Sequence, residues 1–138
     1  MLLQRAFIST FEKNFAKMGP MAFSKTTPKF DEEDRKWYCA IIESLMGKKV
    51  EDIVPPPDNW EKVQKWFEKM DGWYKEAGNR QFAMGDEISL ADVCVASHLM
   101  WVKRIFGEKG EEWREMRGWN AGRWARLADQ FNKFEVVV

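Results

Sequence analysis

Apolar residues along this chain recur at spacings of three and four, and no stretch sustains an apolar/polar alternation, so the pattern predicts helices from end to end. The first is expected over Leu2 to Lys17, where Leu3, Phe7, Phe11 and Phe15 return every fourth residue, with Gly19-Pro20 as its end. Met21 to Phe30 carries Ser24, Thr26, Thr27 and Pro28 without periodicity and reads as a loop. A second helix follows from Asp31 to Met46. Acidic residues fill its first turn, where they suit the positive end of the helix dipole. Tyr38, Ile41, Ile42 and Leu45 form one face, and Gly47 is its natural C-cap. Lys48 to Asp52 is a short connection. Pro55-Pro56-Pro57 then forces an extended path, because each ring fixes φ and removes a backbone donor. Asp58 is expected to cap a long third helix whose face is Trp60, Val63, Phe67, Met70, Tyr74 and Ala77, flanked by Trp66 and Trp73 and stopped by Gly78.

The next segment holds the sharpest local signal. Ile88-Ser89-Leu90-Ala91-Asp92-Val93 has the layout of a capping box, with the Ser89 hydroxyl and the Asp92 carboxylate each serving the other's backbone amide and Ile88 and Val93 closing a hydrophobic staple. From Leu90 to Val102 apolar residues occupy all sides, which predicts a helix in the middle of a bundle, ended by Gly107. Glu111 to Arg117 reads as a short amphipathic helix. Asn120 to Lys133 is the last, with Trp124, Leu127, Ala128 and Phe131 inward, and Phe134 to Val138 is expected to be an extended tail. The predicted fold class is all-α, a bundle of about five helices.

Length and composition narrow this further. A chain of 138 residues fits a single domain over 1–138, and ten Phe, eight Trp and two Tyr imply a packed core rather than disorder. The 22 Lys and Arg offset the 22 Asp and Glu, so no net field draws the protein to nucleic acid or an anionic membrane. The C-terminal region does interleave Arg114, Arg117, Arg123 and Arg126 with Trp113, Trp119 and Trp124, but Glu108, Glu111, Glu112 and Glu115 would repel a phosphate backbone, and neither nucleic acid nor membrane is expected as a partner. Cys39 and Cys94 sit inside helical patterns rather than in a disulfide framework, which suits a reducing, cytoplasmic setting; no signal peptide is read at the N-terminus. Cys94 and His98 lie four apart and share a helix face. One pair is too few for a metal site, with Cys39 the only other thiol and His98 the only histidine, so the pair reads as packing. Asp92 reads as a folding residue and not as a general acid or base.

The order of elements resembles the helical C-terminal domain of glutathione transferases, whose central helix opens with a Ser/Thr-x-x-Asp box and staple, here Ser89 to Asp92 between Ile88 and Val93. It is similar in particular to the fungal etherase-like class through Gly47-Lys48-Lys49-Val50-Glu51-Asp52-Ile53, Met84-Gly85-Asp86, Val95-Ala96-Ser97, Trp101-Val102-Lys103, Gly107-Glu108 with Glu111-Glu112-Trp113, and Gly122-Arg123-Trp124. The resemblance covers Leu2 to Glu135. It implies that glutathione is held, and its thiol activated, by a thioredoxin-like N-terminal domain that ends where this chain begins. No cofactor is therefore expected in these residues, and no catalytic residue; glutathione would enter only with that other domain. The family's apolar cosubstrate site implies a wall of Phe7, Phe11, Phe15, Met100 and Trp101. Three functions follow as expectations: a domain that binds an apolar or aromatic small molecule or self-associates through the first and central helices, the cosubstrate-binding half of a transferase that is inactive alone, or a module that binds a protein partner.

Overall fold

The computed structural model describes residues 2–135 and contains seven α-helices. In chain order they are α1 (Leu2–Phe15), α2 (Gly19–Thr26), α3 (Glu32–Met46), α4 (Asn59–Glu76), α5 (Leu90–Phe106), α6 (Glu111–Gly118) and α7 (Arg123–Phe131). Short 3₁₀ turns join several of them. An isolated bridge between Phe82 and Gly85 is the one β feature among the described residues.

Gly19-Pro20 does not end the first helical run. Backbone angles stay right-handed through Phe15, Met18 and Gly19, one 3₁₀ turn spans Ala16–Met18, and α2 starts at Gly19 with Pro20 in its first turn. A first-turn residue has no intrahelical N–H bond to lose, so proline is tolerated there. The segment read as a loop is therefore helix. Thr26 and Thr27 donate back to the carbonyls of Ala22 and Phe23 at 2.8 and 3.1 Å, which satisfies their hydroxyls within the turn. Eight residues are too few for periodicity to declare itself.

Other boundaries shift for similar reasons. The Asp58 side chain makes no cap bond to α4; it pairs with Lys62 at 3.0 Å instead. Asn59 anchors that end of the helix, donating to the Lys17 carbonyl at 2.8 Å. The last helix starts at Arg123 rather than Asn120, because Asn120, Ala121 and Gly122 all take left-handed angles. Ala121 costs about 1–2 kcal/mol in that region. Its carbonyl accepts from Arg126 at 2.6 Å, and Asn120 accepts from the Trp124 indole at 2.7 Å, so the turn is held by the helix it precedes. At the C-terminus, Asn132–Phe134 is a 3₁₀ turn rather than extended chain, and 136–138 of the expected tail lie outside the described residues.

The core joins α1, α4, α5, α6 and α7 around Phe11, Phe67, Met70, Leu99, Trp113 and Trp124. Phe67 meets Phe11 and Trp124 edge-on at 6.4 and 5.2 Å, and Tyr74 meets Trp124 at 5.8 Å, geometries that add about 0.5–1.5 kcal/mol per pair beyond burial. Trp113, Trp119 and Trp124 are all buried, so none of the three offers a free face to a base. The helix α5 is less enclosed than its sequence suggests. Ala91, Asp92, Val95, Ala96, Leu99 and Val102 are buried, whereas Leu90, Val93 and Trp101 reach the surface. Its C-terminal carbonyls are clamped by Lys29, whose Nζ lies 2.7 and 2.9 Å from those of Arg104 and Ile105.

Two buried carboxylates tie the elements together. The capping box of α5 forms, and Asp92 is fully buried. Its Oδ2 accepts from the Ser89 amide at 2.9 Å and the Ser89 hydroxyl at 2.6 Å, while Oδ1 accepts from the Ala83 amide at 2.8 Å and the Tyr74 hydroxyl at 3.4 Å. The staple is looser: Ile88 and Val93 are 50% and 42% exposed. Asp71 accepts from Arg123 and Lys75, both at 2.6 Å, and Arg123 also donates to Asn79 and to the Arg80 carbonyl while its guanidinium lies 4.9 Å from the Tyr74 ring centre. Burial opposes ionisation of Asp71, yet the hydrogen bonds and charges of Lys75 and Arg123 prevail and hold its carboxyl below the usual carboxylate range.

Replacing Asp92 by Asn turns an NH₂ group toward two donors, and should cost about 3 kcal/mol against about 1 kcal/mol for Ser89→Ala, read from chemical unfolding. Asp71 gives a pH signature. Because its folded pKa lies below the unfolded one, its contribution is complete above the unfolded value and is lost as pH falls through the folded value. Asp71→Asn should flatten the stability profile below about pH 4 and lower stability at pH 7.

Candidate functional site

A cleft of about 420 Å³ opens where the α1–α2 junction faces α5. Phe15, Ala16 and Gly19 supply one wall, and Ser97, His98 and Trp101 the other. Phe15 packs edge-on to His98 at 4.6 Å and to Trp101 at 5.7 Å. Phe15 is 7% exposed and Trp101 36%, so the indole is the larger ring surface left to a ligand.

The five residues implied as the wall therefore separate. Phe15 and Trp101 line the cleft. Phe11 does not, being 0% exposed and packed against Phe67 and His98. Met100 is half-buried against the core. Phe7 lines a second groove, of about 360 Å³, with Leu3, Ala6, Thr10, Trp73, Ala83 and Met84, and packs on Trp73 and Tyr74 at 6.0 and 6.4 Å. A repeat of four drifts about 40° per step around a helix, so a stripe starting at one groove passes through the core before reaching the other. Sequence reasoning missed Ala16, Gly19 and Ser97 and gave His98 a hydrogen bond within the fold or a place at a surface edge, not a place in a cleft. The signal for His98 was its spacing of three from Trp101, which puts both on one face.

The pair Cys94 and His98 has no nucleophile geometry. His98 Nδ1 lies 2.7 Å from the Cys94 carbonyl, an acceptor only, so Nδ1 carries the hydrogen and donates. In the neutral ring this leaves Nε2 as the acceptor. The Cys94 sulfur is 4.0 Å from Nδ1, and burial, with a smaller push from the Glu12 charge, raises the thiol pKa above its ordinary value. A raised pKa removes thiolate at neutral pH. Asp92 likewise has its four hydrogen bonds inside the fold and faces no cleft. Among the described residues no group of three or more His, Cys, Asp or Glu is placed to hold a metal ion, and no helix is long and apolar enough to cross a membrane.

The profile of the glutathione S-transferase C-terminal domain matches residues 3–134, and the chain belongs to that family. Among curated protein sequences none matches it. Among solved structures, the glutathione S-transferase CsGST83044 of Ceriporiopsis subvermispora, in complex with glutathione, is 30% identical with a TM-score of 0.80, the match covering 94% of this chain and 56% of that one. CsGST63524 of the same fungus, also in complex with glutathione, is 27% identical with a TM-score of 0.82 over 100% of this chain and 59% of that one. The glutathione transferase GSTFuA3 of Phanerochaete chrysosporium shares the fold, with a TM-score of 0.89 at 23% identity over 100% of this chain and 56% of its own. The chain thus spans a little over half the length of these fungal proteins.

Alkylation of Cys94 by iodoacetamide, followed by mass spectrometry of its peptide, should be slow at pH 7 and still accelerating above pH 9. A rate already at its plateau at pH 7 would show an activated thiolate there.

Proposed function

We propose that this domain binds an apolar aromatic small molecule in the cleft between the α1–α2 junction and α5, and that it is the cosubstrate-binding half of a glutathione transferase. The observation that carries this is the ring cluster of Phe15, His98 and Trp101 around a cavity of about 420 Å³, a size within the usual range for small-molecule sites and suited to about one or two fused rings. Edge-to-face walls receive a flat π-system well, and Ser97 and His98 offer polar atoms that would orient it.

The cleft does not fit glutathione. That tripeptide carries two carboxylates and an ammonium group at neutral pH, and no charged side chain is among the six residues lining the cavity. The cysteine beside it is not an activated thiol either, since burial raises the Cys94 pKa. Two of the similar fungal transferases were solved with glutathione, and this chain corresponds to just over half of each. Glutathione would therefore be held and activated by a thioredoxin-like half outside these residues, and conjugation would need both halves because thiolate and electrophile must meet in one geometry.

Anilinonaphthalene sulfonate is a suitable probe. Its fluorescence should rise on titration with the 138-residue protein, and Trp101→Ala should weaken binding about tenfold, the equivalent of about 1.4 kcal/mol. Equal affinity in that variant, with its fold intact by circular dichroism, would place the dye elsewhere and sink the assignment. Mixing the chain with excess glutathione and 1-chloro-2,4-dinitrobenzene should give only the uncatalysed rate; clear turnover would overturn the division of labour.

A further inference from the structure

A second cavity, of about 390 Å³, lies between the C-terminal half of α4, the loop that follows it and α7, and it shares no residue with the aromatic cleft. Its cations come from three places. Lys75 stands on α4 one turn after Asp71, Arg80 on the loop, and Arg123 and Arg126 on α7. Arg123, Arg126, Leu127 and Gln130 lie three and four residues apart on that helix and so share the face that closes the cavity. The chain as a whole balances 22 basic residues against 22 acidic ones, yet this lining holds four cations and a single carboxylate. The surplus is local.

The lining divides into a fixed floor and a rim with spare donors. Asp71 and Arg123 are 4% and 12% exposed and pair at 2.6 Å, and Arg123 also donates to Asn79 and to the Arg80 carbonyl. Lys75 reaches the same carboxylate from the rim, also at 2.6 Å, with its own side chain 64% exposed. One carboxylate thus serves two cations. Arg80 pairs with Asp86, which is outside the lining, and both side chains are more than half exposed. Such a pair in water is worth little, so the Arg80 guanidinium turns inward at small cost. Arg126 donates to the Ala121 carbonyl at 2.6 Å and to no carboxylate among the described residues. A guanidinium carries five N–H groups, so that one bond leaves most of its donors for a ligand.

We propose that this cavity binds a small phosphate ester of a polyhydroxylated compound, a sugar phosphate in kind, with the phosphate group between Lys75, Arg80 and Arg126. A phosphate monoester carries close to two negative charges at neutral pH and offers three strong acceptor oxygens, which matches a cationic rim over an ion-paired floor. Guanidinium forks take such oxygens two at a time. The volume exceeds that of one oxyanion and lies within the range of small-molecule sites, so the ligand has a body as well as a charge. That body is not a nucleobase: no aromatic ring lines the cavity, and a base would have nothing to stack on. Gln81, Asn120 and Gln130 contribute side-chain amides instead, the Asn120 oxygen being taken by the Trp124 indole and its NH₂ group left as a donor. Amides pair with hydroxyl groups in either sense.

Nuclear magnetic resonance titration of the protein with glucose 6-phosphate, followed by its backbone amide shifts, tests this on the chain as it is. The shifts should saturate below about 10 mM, centre on residues 79–81 and 120–126, and weaken with added salt. Arg80→Gln and Arg126→Gln should each raise Kd about fivefold or more, whereas Lys36→Gln, which removes the same charge from α3, should leave it within about twofold. Arg126 also braces the turn before α7, so Arg80→Gln, which gives up only the exposed pair with Asp86, carries the test should the Arg126 variant fail to fold. Glucose should not bind, and inorganic phosphate and succinate should each bind about tenfold more weakly than the ester. Absence of saturable shifts, shifts centred elsewhere, an Arg80→Gln protein that binds like wild type or loses no more than Lys36→Gln, or phosphate or succinate binding as tightly as the ester would each overturn the proposal.

Discussion

The Asp92 carboxylate is the point on which the arrangement of this domain depends. It sits at the first turn of α5, fully buried, and takes hydrogen bonds from three separate stretches: Ser89 before the helix, Ala83 in the preceding loop and Tyr74 near the end of α4. A buried carboxylate without partners would cost several kcal/mol, so its position is tolerable only when all three stretches are in place at once. Tyr74 remains a donor because burial, and then the neighbouring Asp92 charge, push its phenol far above its ordinary pKa. The interaction thus converts a local helix start into a statement about tertiary structure: where α5 begins also determines where α4 must end.

From that fixed start the rest of the site follows. The axis of α5 carries Leu99 and Val102 into the core and leaves His98 and Trp101 on the side toward α1. Asp71 and Arg123 perform a parallel service at the other end of Tyr74, joining α4 to α7 through a charge pair buried beside an aromatic ring. Lys29 holds the far end of α5 to the close of α2. The cleft therefore lies between a helix located by polar contacts at both ends and a helical run interrupted by the 3₁₀ turn at Ala16–Met18. Rigid walls on both sides make the Phe15–Trp101 spacing a property of the fold and not of a mobile loop.

This helical domain carries an aromatic cleft with no activated cysteine beside it. Its cleft has aromatic edges and no charged lining, and the cysteine nearest to it is shielded from ionisation by burial. Family membership and the fungal structures establish the helical domain and its fold.

The sequence by itself determined the helical class, the positions of α4 and α5, the capping box and the Gly47 and Gly78 stops, because periodicity and caps arise from contacts within about a turn or two of chain. It also carried the family, through motifs read in order from Gly47 to Trp124. Only the tertiary structure decided that the helical run continues past Gly19-Pro20 instead of ending there, that Phe11 faces the core while Phe15 faces the cleft, and that Ile41 and Leu45 stay uncovered. A repeat of four marks one stripe on a helix but not what that stripe meets. Whether it meets core, cleft or solvent depends on neighbours distant in sequence, and their approach is set by the long-range pairs Asp92–Ala83, Asp71–Arg123 and Lys29–Arg104, which leave no periodic trace.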